Sequence, residues 1–270
     1  MKFDTPAGTN PIDRETVVGK PHPRIGGPLK TTGRAVYSYE NHEAAPNAAY
    51  GYVVGSGIAK GRISSMDVRE AKAAPGVLAI VTADNAGPIK KQGFYVAKPL
   101  AGPEIEHYHQ AIALVVAETF EQARHAASLI RVDYARAQGA FDLAAARAGA
   151  KPHRRQPDVR VGDFDKAFAS APVKVDATYT TPDHSHMMLE PHATIARWDG
   201  DHLTIWSAQQ IVGWARRDLG NKLSIPQDKI RVVATYIGGG FGGKGSVCSD
   251  AILAALGARA ASALGRGGRS

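Results

Sequence analysis

The chain has 270 residues, of which 44% are hydrophobic, enough to bury one large core or two modest ones. Its single cysteine, Cys248, excludes an internal disulfide framework and any site built from several cysteines, such as an iron–sulfur cluster. The formal charge of +8 comes from scattered basic residues without interleaved aromatics, so we expect no nucleic-acid partner.

The amino-terminal segment, residues 1–30, is rich in proline and glycine and lacks apolar periodicity, which indicates an extended arm. It begins with polar and acidic residues where a signal peptide has a basic region and an apolar run. No later stretch is long and apolar enough to predict a membrane span. We therefore expect no signal peptide and a cytoplasmic location by default, with a periplasmic location only through export together with a partner subunit.

Residues 31–137 alternate short β-like runs with helix-like segments, which predicts a compact α/β domain in a chain that is α+β overall. A short helix is expected from Ser65 onward, followed by a strand over residues 77–82. Thr119 is expected to cap a second helix, residues 120–129, whose alanines suit close packing on a sheet.

Residues 138–172 are rich in Ala, Arg, Pro and Asp, which predicts a connector with short helical pieces and a domain boundary. Residues 173–270 then form a second domain. It opens with three β-rich stretches, VKVDATYTT, ATIARW and HLTIWSAQ, the last two joined by a two-residue turn at Asp199-Gly200. The elements predicted after them are a helix over 212–223, a strand over 230–237, a glycine loop over 238–244 and a helix over 250–263.

The glycine loop holds five glycines in the six residues from Gly238 to Gly243. A tight turn needs one or two, so the pattern favours a backbone that closely approaches an anion. The loop also satisfies G-x-G-x-x-G and G-x-x-x-x-G-K. The first pattern lacks its carboxylate about twenty residues on, and in the second Gly245 replaces the Ser or Thr that holds magnesium. We expect a phosphorylated ligand other than ATP.

Six segments together make the chain, from about Arg24 to Ala261, resemble the molybdenum-binding subunits of the xanthine dehydrogenase and aldehyde oxidoreductase family, the bacterial periplasmic aldehyde oxidoreductases in particular. RIGGPLKTTGRAVYSYE is similar to the family's opening signature. RISSMDVREAKAAPGVLAIVTADN and QAIALVVAETFEQARHAASLIRVDY are similar to its hammerhead domain, and MLEPHATIARW, IWSAQQ and GGGFGGK to the start of its cofactor-binding domain. The resemblance implies a hammerhead domain followed by an incomplete molybdopterin-binding domain.

In that family the glycine loop passes beside the molybdenum centre. The resemblance therefore implies that the cofactor is contacted by Gly240, Phe241, Gly242 and Gly243. Glycine amides could donate hydrogen bonds to oxo and phosphate oxygens, and the ring of Phe241 could wall a dry substrate pocket.

A glutamine that follows Ser-x at the end of a strand is implied to hydrogen-bond an oxo ligand of molybdenum. Gln209 matches that motif, Gln210 fits the spacing to the loop equally well, and a solvent-facing strand residue is the alternative for either. No residue of this chain is expected to bind the metal directly. The family's catalytic glutamate lies beyond residue 270, so no catalytic residue is assigned.

Two further sets of residues are weighed and set aside. His184 and His186 share one face of a predicted strand and His192 follows, but no fourth ligand for zinc is evident. Glu190 could be a general base, yet it precedes a proline and by resemblance lies in a structural segment.

The resemblance implies a molybdenum-dependent oxidoreductase that acts on a small aldehyde or aza-aromatic substrate through molybdopterin, whose cytosine dinucleotide form is one option. Iron–sulfur clusters and FAD are expected on partner subunits, since this chain lacks the cysteines for a cluster. Because family members are more than twice as long, the 270 residues are expected to be inactive alone. Two alternatives stay open: a phosphate- or nucleotide-binding module that uses Gly238–Lys244, and a non-catalytic assembly piece.

Overall fold

The structure, a computed structural model, describes residues 8, 14–90, 98–151 and 159–262. The end of the chain after Ser262 lies outside these residues, as does most of the first half of the predicted arm. The described part of the arm is largely exposed, and it ends in a short helix, α1 (Gly27–Thr31). Lys30 Nζ donates to the carbonyl oxygen of Ile237 at 3.0 Å. The end of the arm therefore contacts the residue that directly precedes the glycine loop.

Two antiparallel sheets form the first half of the chain. One has the order β1-β5-β3 and consists of β1 (Tyr50–Gly55), β3 (Val77–Thr82) and β5 (Ala111–Ala117). The other has the order β4-β2-β6 and consists of β2 (Gly61–Asp67), β4 (Glu104–Ile105) and β6 (Arg131–Arg136). Every residue of the central strand β5 is buried, as its unbroken apolar run predicts.

Two helices accompany these sheets, α2 (Arg69–Ala73) and α3 (Phe120–Ser128). Thr119 caps α3 as predicted: its Oγ1 accepts from Gln122 N at 3.2 Å and its own N donates to Gln122 Oε1 at 3.0 Å. The helix predicted from Ser65 is wrong at its start. Ser65 belongs to β2 and pairs with Asp133 of β6, so cross-strand hydrogen bonding delays the helix to Arg69.

The predicted connector contains two short helices, α4 (Leu143–Arg147) and α5 (Phe164–Ser170). The stretch VKVDATYTT that follows is not a strand, contrary to the sequence prediction. Within the described ranges no strand lies beside it, and Val173, Val175 and Tyr179 are exposed by 77% or more. A strand needs a neighbour that satisfies its backbone groups, and β-propensity alone does not supply one.

The second domain is a small mixed sheet with two helices, made of β7 (Thr194–Asp199), β8 (His202–Ser207), α6 (Val212–Leu223), β9 (Ile230–Val233) and α7 (Ser249–Ser262). β7 and β8 are antiparallel, whereas β9 returns through α6 to lie parallel to β8. Asp199 pairs with His202, so the two-residue turn is Gly200-Asp201, one residue later than predicted. β9 ends at Val233 rather than at residue 237, because its pairing with β8 ends at Trp206.

Helix α7 lies between the two halves of the molecule. It packs against β7 and β8 on one side and against β3, β5 and β1 on the other, which explains why it is apolar nearly all round. Trp198 of β7 donates its indole N–H to the carbonyl oxygen of Ala255 at 2.8 Å. The fold is therefore mixed α and β as predicted, and a shared core joins its parts.

Candidate functional site

The glycine loop, residues 238–244, lies between β9 and α7 and, together with Gly245, is folded into successive tight turns. Gly243 N donates to Gly240 O at 2.7 Å and Gly245 N donates to Gly242 O at 3.1 Å. Gly239 and Gly242 both have φ of +94°, a region that favours glycine. A Cβ at Gly240 would lie 2.6 Å from Gln210 Oε1, so a side chain cannot be added there without moving Gln210.

A buried ion pair supports the loop from below. Lys244 is fully buried, and its Nζ donates to Glu190 Oε2 at 2.9 Å and to Glu190 O at 2.8 Å. The same carboxylate accepts from Gly238 N at 2.7 Å. Glu190 thus holds both ends of the loop, and the structure agrees with its interpretation as a structural residue.

This arrangement removes the P-loop alternative. A P-loop lysine must reach the phosphates of its ligand, whereas the ammonium of Lys244 points into the protein and is bound by Glu190. The resemblance between Gly238–Lys244 and a nucleotide-binding motif is therefore confined to the sequence.

The two candidate glutamines have different surroundings. Gln210 is exposed, and its Oε1 accepts from Gly242 N at 3.2 Å and from Lys244 N at 3.3 Å, so it holds the loop in place. Gln209 is 3% exposed and its Nε2 donates to Ser207 Oγ at 3.1 Å. Its other amide atom, Oε1, is buried and has no hydrogen-bond partner within the described part of the chain. Gln209 therefore has an unused polar end, and the side-chain oxygen of Gln210 is already engaged.

The predicted contact residues differ in what they can offer. Among the described residues, no acceptor binds the amides of Gly239, Gly240 or Phe241, whereas those of Gly242 and Gly243 are already used inside the loop. Three consecutive amides without an acceptor among the described residues are available to donate to an anionic oxygen. The ring of Phe241 is 71% exposed, so in the described structure it does not wall a dry pocket.

A hydrogen-bond network connects Gln209 to the start of α7, and the sequence did not predict it. Ser207 Oγ lies 2.9 Å from Thr194 Oγ1, which lies 2.6 Å from Asp250 Oδ2. The carboxylate can only accept, so Thr194 donates to Asp250 and Ser207 donates to Thr194. Ser207 at a strand end was the one available signal, but Thr194 is 13 residues from Ser207, and Asp250 is 56 residues from Thr194.

Cys248 lies beside the loop and its thiol donates to Gly243 O at 3.4 Å. Burial, together with the negative charge of Asp250, raises the pKa of this thiol to about 11, and Lys244 offsets part of the rise. Cys248 is consequently a protonated, weakly nucleophilic thiol at neutral pH.

No helix in the described part of the chain is long and apolar enough to cross a membrane. Residues 32–138 match the a/b hammerhead domain of aldehyde oxidase and xanthine dehydrogenase, and residues 148–266 match the molybdopterin cofactor-binding domain. The second half of the chain, which contains the glycine loop, is thus of the molybdopterin-binding class.

Individual relatives agree with these matches. The aldehyde oxidoreductase molybdenum-binding subunit PaoC of Escherichia coli is 60% identical over 96% of this chain and 36% of its own length. The nicotinate dehydrogenase large molybdopterin subunit of Eubacterium barkeri is 28% identical over 84% of this chain and 56% of its own. The solved aldehyde oxidoreductase from Desulfovibrio gigas superposes with a TM-score of 0.74 at 26% identity, over 88% of this chain and 29% of its own.

The chain belongs to the family of molybdenum-binding subunits of aldehyde oxidoreductases and xanthine dehydrogenases. It spans about a third of the length of the E. coli relative, 36%, and about half that of the E. barkeri relative, 56%.

Proposed function

We propose that this chain contributes the hammerhead domain and the first part of the molybdopterin site to a molybdenum hydroxylase that oxidises small aldehydes or aza-aromatic compounds. The observation that carries the proposal is the glycine loop, in which three amides in a row, those of Gly239, Gly240 and Phe241, have no acceptor among the residues that the structure describes. The 60% identity to an aldehyde oxidoreductase subunit favours aldehydes over aza-aromatics.

The residues present fit an oxo- and phosphate-bearing cofactor. The loop amides can donate to anionic oxygens, and a side chain at Gly240 would displace Gln210, which holds the loop in place. The second polar group that could face the cofactor is the side-chain oxygen of Gln209, which has no hydrogen-bond partner among the described residues. Ser207 Oγ donates to Thr194 and therefore accepts from Gln209 Nε2, which leaves Gln209 Oε1 as an acceptor for a protonated oxygen or nitrogen of the cofactor. We therefore favour Gln209 over Gln210 as the cofactor contact.

Bound molybdopterin supplies the redox chemistry of hydroxylation, which no side chain of this sequence can supply. The contribution of this chain is to position the group. Glu190 and Lys244 fix the ends of the loop and Gln210 fixes its centre, so the three free amides are held in place before any ligand arrives.

We further propose that the 270 residues do not oxidise a substrate on their own. Both carboxylate oxygens of Glu190 already accept hydrogen bonds, Oε2 from Gly238 N and Lys244 Nζ and Oε1 from Ser38 N, so this group is engaged in supporting the loop. A base and the remaining cofactor contacts would come from the part of the relatives that this chain does not span.

The electron acceptors are expected on partner subunits that carry iron–sulfur clusters and FAD, because Cys248 is the only cysteine here. The cytosine dinucleotide form of the pterin and co-export to the periplasm are parts of the same proposal. A role as a non-catalytic assembly piece is the second candidate, and the exposure of apolar side chains such as Val173 and Leu189 outside the shared core favours it.

Molybdenum and pterin content, measured by elemental analysis and by fluorescence of the oxidised pterin, tests the proposal. The chain would be produced with its neighbouring subunits, as wild type, as Gly240→Ala and as the control Gly213→Ala, whose added Cβ meets no atom within 4 Å. We expect cofactor in the wild type and the control and much less in Gly240→Ala. Equal cofactor in all three would contradict a role for the loop, and partner binding without any molybdenum would favour the assembly role.

A further inference from the structure

Three side chains of different chemistry meet at the amino-terminal end of α7. A ring nitrogen of His192, the Sγ of Cys248 and a carboxylate oxygen of Asp250 all lie within 4.8 Å of one another. His192 precedes β7 and is exposed, whereas Cys248 and Asp250 are partly buried. His184 and His186, which the sequence suggested as companions of His192, are not members of this cluster.

The carboxylate of Asp250 is held in one orientation and left half satisfied. Oδ2 accepts from Thr194 Oγ1 at 2.6 Å, and Thr194 is in turn fixed by Ser207. Oδ1 is buried and has no hydrogen-bond partner among the residues that the structure describes. A buried carboxylate oxygen without a partner is costly, and a nearby cation would remove that cost.

We propose that His192, Cys248 and Asp250 bind a zinc ion, with a water molecule as the fourth ligand. Imidazole, thiolate and carboxylate together are a ligand set typical of zinc, whereas calcium and magnesium prefer oxygen ligands alone. Metal–ligand distances of about 2.0–2.3 Å place tetrahedral donors about 3.3–3.8 Å apart. The cluster therefore has to contract by roughly 1 Å, which side-chain rotation of the exposed His192 can supply.

The hydrogen bond from Thr194 to Asp250 holds the carboxylate of Asp250 in one orientation, which favours its binding to the ion. Zinc binding releases the thiol proton of Cys248 to solvent, because the thiolate is the ligand. The carbonyl oxygen of Gly243 then loses the hydrogen bond that it accepts from this thiol. Three protein ligands leave one position open, and His192 and Asp250 also line a cavity of about 460 Å³ from which a water molecule can reach the ion.

The test uses the 270-residue chain after treatment with a chelator, titrated first with Co²⁺ and then with Zn²⁺. A cobalt–thiolate charge-transfer band reports coordination by sulfur, and it can arise only from Cys248, the single cysteine. We expect this band to appear and to be abolished by one equivalent of zinc, with a dissociation constant in the micromolar range or below. Magnesium should not compete.

Variants assign the remaining ligands. His192→Ala and Asp250→Asn should weaken zinc binding at least about tenfold, and Cys248→Ser should remove the cobalt band. His202→Ala, at another exposed histidine, is the matched control and should bind as the wild type does. Because His192 is exposed, its replacement should leave the melting temperature of the metal-free chain unchanged. Absence of the band in the wild type, or unaltered affinity in His192→Ala, overturns the proposal; neither result depends on molybdopterin.

Discussion

Lys244 Nζ lies 2.9 Å from Glu190 Oε2, and this ion pair, 54 residues apart in sequence, is buried beneath the glycine loop. In a P-loop the corresponding lysine binds a nucleotide phosphate, whereas here Lys244 is bound by Glu190. The loop is consequently supported by charge from inside the protein, and the amides of Gly239, Gly240 and Phe241 have no acceptor among the described residues.

Removal of one member of this pair should be strongly destabilising. In Lys244→Met the Glu190 carboxylate stays buried without its cation, so we expect the free energy of unfolding to fall by about 3–5 kcal/mol. The double variant Glu190→Gln/Lys244→Met should recover part of that loss. Lys229→Met, which breaks the exposed pair with Asp201, is the control and should change little. Denaturant unfolding measures all three, and equal midpoints for Lys244→Met and Lys229→Met would refute the argument.

Gln209 and Gln210 should have separable roles. Gln210→Ala removes the acceptor for the amides of Gly242 and Lys244, so hydrogen exchange at these two amides should become about five- to tenfold faster. Gln209→Met leaves those bonds intact and should not change the exchange rates. If Gln209→Met accelerates exchange at the loop as much as Gln210→Ala does, the assignment of Gln210 as its support is wrong.

The thiol of Cys248 should make stability depend on pH in the alkaline range. Its pKa is raised from 9.0 to about 11 in the folded chain, mainly by burial. The unfolded chain therefore loses this proton first, and stability should fall as the pH rises from about 9 to about 11. Cys248→Ser, measured in metal-free buffer, should lack this part of the decline. At about pH 8 the folded thiol should also react with iodoacetamide roughly a hundredfold more slowly than the unfolded one.

Gly257 of α7 should be needed for the contact between the two halves. A Cβ there would lie 2.8 Å from Leu114 Cδ2 and 3.2 Å from Val116 Cγ2, and both side chains are buried in the core of β5. Gly257→Ala should be less stable than the control Gly213→Ala by about 1–3 kcal/mol, because both gain helix propensity but only the former is overpacked. Thermal unfolding of the two variants gives the comparison; equal melting temperatures would mean that β5 and α7 can move apart without cost.

Limited proteolysis should cut the chain just after the predicted connector without separating the two halves of the molecule. The segment from Val173 to Leu189 is exposed and has no strand or helix, so trypsin should cleave at Lys174 early. Since α7 packs against β3 and β5, the two fragments should still elute together in gel filtration until denaturant is added. An intact band for residues 138–270 under these conditions would contradict the exposure of this segment.

The sequence by itself determined the elements whose signals are local. The unbroken apolar run of β5, the Thr119 cap and the largely apolar helix α7 each carry their pattern within a few consecutive residues, and the structure contains all three. The family could be predicted from the sequence for the same reason, because each segment that resembles it is continuous in sequence.

Tertiary structure decided whatever depends on a distant partner. VKVDATYTT has strand propensity but no adjacent strand among the described residues, and propensity cannot replace backbone hydrogen bonds. Gln209 and Gln210 are neighbours in sequence just after β8, yet one is buried beside Ser207 and the other is exposed and bound to the glycine loop, a difference that depends on tertiary contacts. The cluster of His192, Cys248 and Asp250 exists only because α7 begins beside β7, a packing that no local pattern encodes.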